Sequence, residues 1–135
     1  MTGADMTKRI EANVLLVDDE EHFLDALSFR LEARGLKVNT AANGEEALEK
    51  IDRQKYDLVI IDMAMPGLNG IETMKRIKAI QSDAKIIILT GQPSFKNGIE
   101  AMKLGACDFL EKPVDIETMT RIMEDAIPTG KDPSS

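Results

Sequence analysis

Five polar residues of this chain stand directly after short segments that have the composition of β-strands: Asp18, Asp19, Asp62, Thr90 and Lys112. Unbroken apolar runs such as residues 58–61 are typical of strands buried on both faces of a parallel sheet. Three carboxylates brought together would repel one another, and a bound cation would remove that repulsion. Oxygen ligands select a hard ion, and Mg²⁺ is typical where phosphate takes part. We therefore expect a magnesium site.

Asp62 is the group that we expect to react. It ends an apolar run, and Pro66, Gly67 and Gly70 after it are typical of a loop. An aspartate has a pKa of about 3.9, so it is ionised at neutral pH and can attack a phosphoryl donor without a general base. The metal, the Lys112 ammonium and the Thr90 hydroxyl would stabilise charge on the equatorial oxygens. The product would be an aspartyl phosphate.

These residues can meet only if their strands are neighbours. Five strand-like segments alternate with five amphipathic segments, which is typical of an α/β fold with a parallel sheet and right-handed crossovers. The first, third and fourth strands are solidly apolar and belong inside the sheet, whereas the second and fifth are mixed and belong at its edges. The doubly wound order 2-1-3-4-5, a flavodoxin-like three-layer (βα)5 arrangement, satisfies both conditions.

That order places the ends of strands one, three, four and five side by side. Neighbouring strands lie about 4.8 Å apart, so Thr90, one strand away, could touch a group attached to Asp62. Lys112 starts two strands away, roughly 10 Å. Its flexible four-carbon stem suits that gap.

Apolar positions at helical spacing predict the five helices. The acids at 18–21 are expected to begin the first helix, and Asn43 with Glu46 to cap the second. Pro93 at the entrance of the fourth helix and Gly98 in its early turns predict a soft helix, because glycine costs about 1 kcal/mol relative to alanine. The apolar positions, helix by helix, are Leu24, Leu27 and Leu31; Ala47, Leu48 and Ile51; Ile71, Met74 and Ile77; Ile99 and Met102; and Ile116, Met119 and Met123.

Composition narrows the class of protein. The chain has 135 residues, 43% hydrophobic and 30% charged, which is enough for one domain with a core. The net charge of −7 argues against direct nucleic-acid binding, and no apolar run approaches the roughly 20 residues of a membrane helix. Cys107 is the only cysteine, so we expect no internal disulfide and a cytoplasmic location. We expect a flexible leader at 1–12, a folded domain at 13–126, and a flexible tail or linker at 127–135.

Four motifs follow one another along the chain: Val17-Asp18-Asp19, Asp62-x-x-Met65-Pro66-x-x-x-Gly70, Leu89-Thr90-Gly91 and Gly105-Ala106-x-Asp108-Phe109-Leu110-x-Lys112-Pro113. Together they resemble the receiver domain of two-component response regulators, of the single-domain, chemotaxis-regulator-like kind. The match covers residues 13–126 and departs from the family at no chemical position. The departures, at Gln92-Pro93 and Gly98, lie beside the site.

The resemblance implies a role for each acid. Asp62 would accept phosphate from a sensor histidine kinase or a histidine phosphotransfer protein. Asp19, Asp62 and the main-chain carbonyl of Ala64 would bind Mg²⁺, and Asp18 would help through a water molecule. Such a protein is a signalling phosphoacceptor and not an enzyme with a separate substrate, although it catalyses its own phosphoryl transfer and slow autodephosphorylation.

The resemblance also implies a switch. Thr90 and Lys112 would stabilise the phosphoryl group, Thr90 and Phe109 would rearrange when it is attached, and the bond before Pro113 would be cis. The surface of the fourth helix, fifth strand and fifth helix would then change. It would be read by an unidentified downstream target or output domain, or by a second copy in a homodimer.

Three other functions stay open. A degenerate receiver used only for docking is disfavoured by intact Asp62, Thr90 and Lys112. A phosphatase or phosphotransferase with an aspartyl nucleophile on a related sheet would place a D-x-D motif after the first strand, whereas the acids here are adjacent. A flavin-binding domain of the same topology would need neutral donors after that strand, and the acids at 18–21 would repel a phosphate.

Overall fold

The computed structural model describes residues 12–91 and 95–127, in which five strands alternate with five helices. The strands are β1 (Asn13–Val17), β2 (Lys37–Ala41), β3 (Leu58–Asp62), β4 (Lys85–Thr90) and β5 (Asp108–Glu111). The helices are α1 (Glu21–Glu32), α2 (Gly44–Arg53), α3 (Gly70–Ile80), α4 (Phe95–Lys103) and α5 (Ile116–Ala126). The predicted leader up to residue 11, the departures at Gln92 and Pro93, and the tail from Pro128 lie outside the described residues.

The strands form one parallel sheet in the order β2-β1-β3-β4-β5, which confirms the order predicted from their apolarity. Every residue of β3 is buried, and in β1 and β4 only the first residue is not. The mixed strands β2 and β5 lie at the edges and are partly exposed. An edge strand has a neighbour on one side only, so it tolerates polar residues that a central strand cannot.

Helices cover both faces of the sheet and create two apolar cores. On one face α1 packs through Leu24, Leu27 and Leu31, together with Met119 and Met123 of α5. The other face is covered by α2, α3 and α4, whose core residues include Ala47, Ile51, Met74, Ile77 and Ala101. Successive side chains of each central strand enter opposite cores. The strand ends that carry the acids are therefore anchored from both sides.

The first helix begins later than the acids at 18–21 predict. Glu20 has an extended backbone, and α1 starts at Glu21. The Glu20 backbone N–H donates to Asp18 Oδ1 at 2.9 Å. An aspartate side chain that accepts from the backbone two residues ahead stabilises a turn in place of a helix. Residues 18–20 are thus a connecting turn.

The apolar positions that predict α4 do not face the core. Ile99 and Met102 are 39% and 42% exposed, whereas Gly98 and Ala101 are buried. Each residue of a helix is rotated by about 100° from the one before it. The pair Gly98 and Ala101 and the pair Ile99 and Met102 therefore cannot both face the sheet. Gly98 and Ala101 face the sheet because the ring of Phe109 on β5 already fills the space between the sheet and this helix.

The described residues next to the predicted domain boundaries also pack in the core. Ala12 and Ile127, expected in the leader and the tail, are 8% and 5% exposed and pack in the core beside α1 and α5. Within the described residues, none of the helices has the length and apolarity needed to cross a bilayer.

The loop after β3 is closed by an asparagine cap and a glycine. The Asn69 side chain accepts a hydrogen bond from the Glu72 N–H at 2.9 Å and so caps α3. The Gly70 N–H donates to the Met63 carbonyl at 3.1 Å. A Cβ at position 70 would lie 2.5 Å from the Asp62 carbonyl oxygen and 2.7 Å from Met63 Cα. Only glycine permits this approach, which keeps the loop close to the strand end.

Gly70→Ala should lower the free energy of unfolding by about 1–3 kcal/mol, the usual cost of adding atoms to a packed site. The new methyl group would meet backbone atoms, which no side-chain rotation can relieve. Urea denaturation followed by circular dichroism measures the change. Gly91→Ala is the matched control, because a Cβ there meets no atom of the described residues within 4 Å. Equal destabilisation of both variants would contradict this account of Gly70.

Candidate functional site

Three carboxylates converge at the carboxyl end of the sheet. In the β1–β3 register Val17 lies opposite Ile61, so the next residues, Asp18 and Asp62, come side by side. Asp18 is 1% exposed and Asp62 is 5% exposed, whereas Asp19 faces solvent. One carboxylate oxygen from each acid lies within 4.8 Å of the other two. The strand register thus brings together the three acids singled out from the sequence.

Lys112 reaches these acids from the end of β5. Its Nζ lies 2.7 Å from Asp18 Oδ2, 3.0 Å from Glu20 Oε1 and 3.9 Å from Asp62 Oδ2. The ring centroid of Phe23 in α1 is 4.4 Å from the same ammonium, within the range of a cation–π interaction. The ammonium therefore pairs closely with two carboxylates and stands slightly further from Asp62. Glu20 and Phe23 are site residues that the sequence motifs did not reveal.

Thr90 ends β4, one strand from Asp62, and is buried. In the β3–β4 register Asp62 lies opposite Leu89, which places Thr90 one residue beyond it at the same edge. The Thr90 carbonyl accepts a hydrogen bond from the Lys112 backbone N–H at 2.8 Å. The peptide bond between Lys112 and Pro113 is cis, the isomer expected from the sequence.

Negative charge exceeds positive charge in this site. The pKa of Asp62 is raised to about 6, first by burial and then by the Asp18 carboxylate, although Lys112 and a hydrogen bond from the Ala64 backbone oppose the shift. Burial by itself would lower the pKa of Lys112, but Asp18, Glu20 and Asp62 together raise it above its usual value. One ammonium does not offset the carboxylates around it.

A hard divalent cation fits this arrangement. Two ligands of one Mg²⁺ ion lie at most about 4.2 Å apart, twice the usual metal–oxygen distance. The 4.8 Å spread of the carboxylate oxygens is therefore within small side-chain movements of that geometry. Asp18 Oδ2 is buried and has the Lys112 ammonium beside it but accepts no aligned hydrogen bond. The backbone of Ala64 lies near enough to the Asp62 carboxylate to oppose the rise of its pKa.

Phe109 sits on β5 and packs beneath α4. In the β4–β5 register it lies opposite Ile88, two residues before Thr90. A Cβ built at Gly98 would lie 2.5 Å from Cδ2 and Cζ of the Phe109 ring, so the missing side chain makes room for the ring. Phe109 is half-buried against the core on that face. Gly98 is thus a packing partner of the predicted switch residue.

Asp62→Asn should stabilise the metal-free protein at pH 7 by about 1–3 kcal/mol, since one unit of pKa shift corresponds to about 1.4 kcal/mol. The raised pKa means that the folded state prefers protonated Asp62, so wild-type stability falls as pH rises from 3.8 to about 6. The amide has no such penalty. Urea denaturation in a chelator at several pH values measures the difference.

Asp52→Asn provides the control for this prediction, because Asp52 is an exposed acid on α2. Its effect should stay within about 0.5 kcal/mol at every pH. Excess Mg²⁺ should reduce the advantage of Asp62→Asn, because an amide is a weaker ligand than a carboxylate. A stability difference between Asp62→Asn and wild type that does not grow with pH would contradict the cost of ionising Asp62, which comes from its burial and from Asp18.

Known proteins share this fold and this sequence pattern. Residues 14–124 match the family described as the response regulator receiver domain. The chain is 38% identical over 117 residues to the transcriptional regulatory protein FixJ of Bradyrhizobium diazoefficiens, covering 87% of this chain and 57% of FixJ. It is 35% identical over 117 residues to ZraR of Klebsiella oxytoca, covering 87% of this chain and 26% of ZraR. The chain therefore spans about half of one curated relative and a quarter of the other.

Solved structures agree with these relatives. A response regulator receiver domain protein from Clostridium thermocellum is 38% identical, with a TM-score of 0.83 and coverage of 89% of this chain and 97% of that one. TrrA of Thermotoga maritima, solved with Mg²⁺ and beryllofluoride, is 33% identical, with a TM-score of 0.77 and coverage of 85% and 98%. A Burkholderia pseudomallei response regulator with a phosphorylated aspartate and a calcium ion is 30% identical, with a TM-score of 0.77 and coverage of 90% and 70%. The family match over residues 14–124 and the similar solved structures show that the chain belongs to the receiver domains of response regulators.

Proposed function

We propose that Asp62 is the phosphoacceptor and that it takes its phosphoryl group from a histidine of a sensor kinase or of a histidine phosphotransfer protein. The observation that carries this proposal is the buried Asp62 carboxylate, with Asp18, Asp19 and the Lys112 ammonium gathered around it at one edge of the sheet. The Burkholderia neighbour with its phosphorylated aspartate supports the same chemistry. The protein would work in the cytoplasm as a signalling phosphoacceptor.

The transfer would be a direct displacement at phosphorus. A carboxylate oxygen of Asp62 attacks the phosphorus, the P–N bond to the donor histidine breaks, and its electron pair stays on the imidazole nitrogen. With a pKa of about 6, Asp62 is mostly ionised at pH 7 and needs no general base. Lys112 Nζ, 3.9 Å from Asp62 Oδ2, would move onto one phosphoryl oxygen, and the Thr90 hydroxyl would donate to another.

Asp19, Asp62 and the Ala64 carbonyl would hold Mg²⁺, with Asp18 assisting through a water molecule. The ion supplies positive charge that offsets the repulsion between the carboxylates and the arriving phosphoryl group. The Glu20 backbone N–H fixes Asp18 by a 2.9 Å hydrogen bond to Oδ1, so this carboxylate is oriented before any ligand binds. TrrA, solved with Mg²⁺ and beryllofluoride, supports the presence of a magnesium ion in a protein of this fold.

The switch would run from Thr90 through β5 to α4. Drawing Thr90 toward the phosphoryl group would open space beside β5, into which the ring of Phe109 would turn. The ring would then leave its place under Gly98, and α4 would reposition. The apolar side chains that would be presented differently, to a target, an output domain or a second copy of the domain, are Ile99, Met102 and Leu104. Slow self-catalysed loss of the phosphoryl group would reset the switch.

Incubation with Mg²⁺ and acetyl phosphate should add one phosphoryl group to the wild-type protein. Asp62→Asn should not be labelled, because the amide is not a nucleophile toward phosphorus. Intact-protein mass spectrometry at neutral pH measures the added mass. Equal labelling of wild type and Asp62→Asn would refute Asp62 as the acceptor.

Two controls test the role of the metal in the same assay. Removal of Mg²⁺ by a chelator should abolish labelling, and Asp19→Ala should slow it strongly because a predicted ligand is lost. Asp52→Asn should label at the wild-type rate, since Asp52 is exposed on α2 away from the strand ends. Labelling of Asp19→Ala at the wild-type rate would contradict the metal site as drawn.

Gly98→Ala should displace the Phe109 ring in the unmodified protein, because the new methyl group would overlap it. Helix propensity alone predicts only a stiffer helix, by about 1 kcal/mol. We expect hydrogen exchange at residues 98–104 and 109 to change without any ligand. The further change caused by the phosphoryl mimic beryllofluoride should be smaller than in the wild type.

The same substitution in a Phe109→Leu background separates the two effects. Without the ring, Gly98→Ala should slow hydrogen exchange at 98–104, and only by the difference in helix propensity. Contacting residues are expected to be non-additive in this way. An identical response to Gly98→Ala in both backgrounds would show that the contact with Phe109 plays no part.

A further inference from the structure

The ammonium of Lys112 has an acidic partner that the phosphorylation chemistry does not use. Glu20 Oε1 lies 3.0 Å from Lys112 Nζ, and the Glu20 side chain is 64% exposed. Asp18 Oδ2, 1% exposed, holds the ammonium from inside the site at 2.7 Å. Asp62, at 3.9 Å, is the furthest of the three carboxylates.

We propose that Glu20 is a positioning residue that holds Lys112 away from Asp62 in the unmodified protein and so lowers the affinity of the site for a phosphoryl group. This inference rests on the proposed role of Asp62. The ammonium would leave Glu20 when the phosphoryl group arrives and would return to it after hydrolysis. Glu20 would thus set the threshold at which Lys112 engages the modified aspartate.

The fold itself directs Glu20 toward the lysine. The Glu20 backbone N–H donates to Asp18 Oδ1 at 2.9 Å, and its carbonyl accepts from the Leu24 N–H at 3.0 Å. Both ends of this residue are therefore fixed, one by the site and one by the first turn of α1. A side chain that starts from a fixed backbone loses less conformational entropy when it forms an ion pair than one on a free loop.

Asp18 and Glu20 differ in burial, and this difference determines which of their ion pairs with Lys112 is easier to break. Breaking the Asp18 pair would leave a buried carboxylate without its counter-charge, which is strongly unfavourable. The Glu20 carboxylate is solvated, so it can release Lys112 at little cost. The ring of Phe23 lies 4.4 Å from the ammonium in the unmodified protein. Exchange of Glu20 for a phosphoryl oxygen is therefore the easier rearrangement.

Removal of the Glu20 carboxylate should strengthen binding of the phosphoryl mimic beryllofluoride. The ammonium would lose its outer competitor, and the anionic mimic would meet one negative charge less. Because exposed ion pairs are weak, we expect a gain of about two- to fivefold for Glu20→Gln. Higher salt should reduce that gain, since exposed charges are screened.

The affinity for beryllofluoride is measured by fluorine NMR at saturating Mg²⁺ and low salt in four proteins: wild type, Glu20→Gln, Glu20→Asp and Glu21→Gln. Glu21→Gln removes the same charge from the next, also exposed, residue and should bind as the wild type does. Glu20→Asp keeps the charge but withdraws it from the lysine, and should gain most of the affinity that Glu20→Gln gains. Wild-type affinity in both Glu20 variants, a gain in Glu20→Gln alone, or an equal gain in Glu21→Gln would overturn the proposal.

A second measurement needs neither metal nor mimic. The order parameter of the Lys112 ammonium, from nitrogen-15 NMR relaxation, should fall in Glu20→Gln and Glu20→Asp and stay unchanged in Glu21→Gln. An unchanged order parameter in the Glu20 variants would show that Glu20 does not hold the lysine. If wild type and Asp62→Asn bound beryllofluoride equally, the proposed function would fail, while this measurement would still test the contact between Glu20 and Lys112.

Discussion

Repulsion among the carboxylates of Asp18, Asp19 and Asp62 is the constraint on which the rest of the site depends. These acids are close because β1 and β3 are neighbours and because their register aligns the residues that follow Val17 and Ile61. The two apolar cores hold both strands in place, so the acids cannot separate without disturbing buried side chains. The pKa of Asp62 is raised first by burial and then by repulsion from the Asp18 carboxylate. A bound cation would relieve this repulsion, whereas an arriving phosphoryl group would add to it.

Lys112 compensates the negative charges of these carboxylates unequally. Its ammonium comes from an edge strand, crosses toward β1 and pairs most closely with Asp18, the most buried acid. That pairing leaves Asp62 at 3.9 Å with only partial compensation, so its carboxylate is not held tightly by the ammonium and would be free to act as a nucleophile. A lysine fully paired with Asp62 would stabilise the unmodified state and would have to be displaced from the reacting atom. The observed sharing with Asp18 avoids that cost.

The fold and the acids could be predicted from the sequence because both follow from strand apolarity. Once β1, β3 and β4 are placed inside, the adjacency of Asp18 and Asp62 and the position of Thr90 need no further information. The partners of Lys112 could not be predicted in the same way. Glu20 lies 92 residues from it in sequence and belongs to a stretch that also resembles a helix start. The prediction that the first helix begins within residues 18–20 was wrong, because the Asp18 side chain accepts a hydrogen bond from the Glu20 amide and α1 begins only at Glu21.

The buried face of α4 could not be predicted from helical spacing, for a related physical reason. Helical spacing places the apolar residues Ile99 and Met102 on one face of the helix. It carries no information about which side chains the neighbouring strand places against that helix. The ring of Phe109 occupies the space under α4, so the helix turns its smallest residues, Gly98 and Ala101, toward the sheet.

A ligand can shift an equilibrium only by the difference between its affinities for the two states. In the proposed switch the contacts that are exchanged must therefore be weak ones, and the solvated pair of Glu20 and Lys112 and the half-buried ring of Phe109 both meet that condition. The buried pair of Asp18 and Lys112 does not, so it would keep the site assembled while those two contacts change.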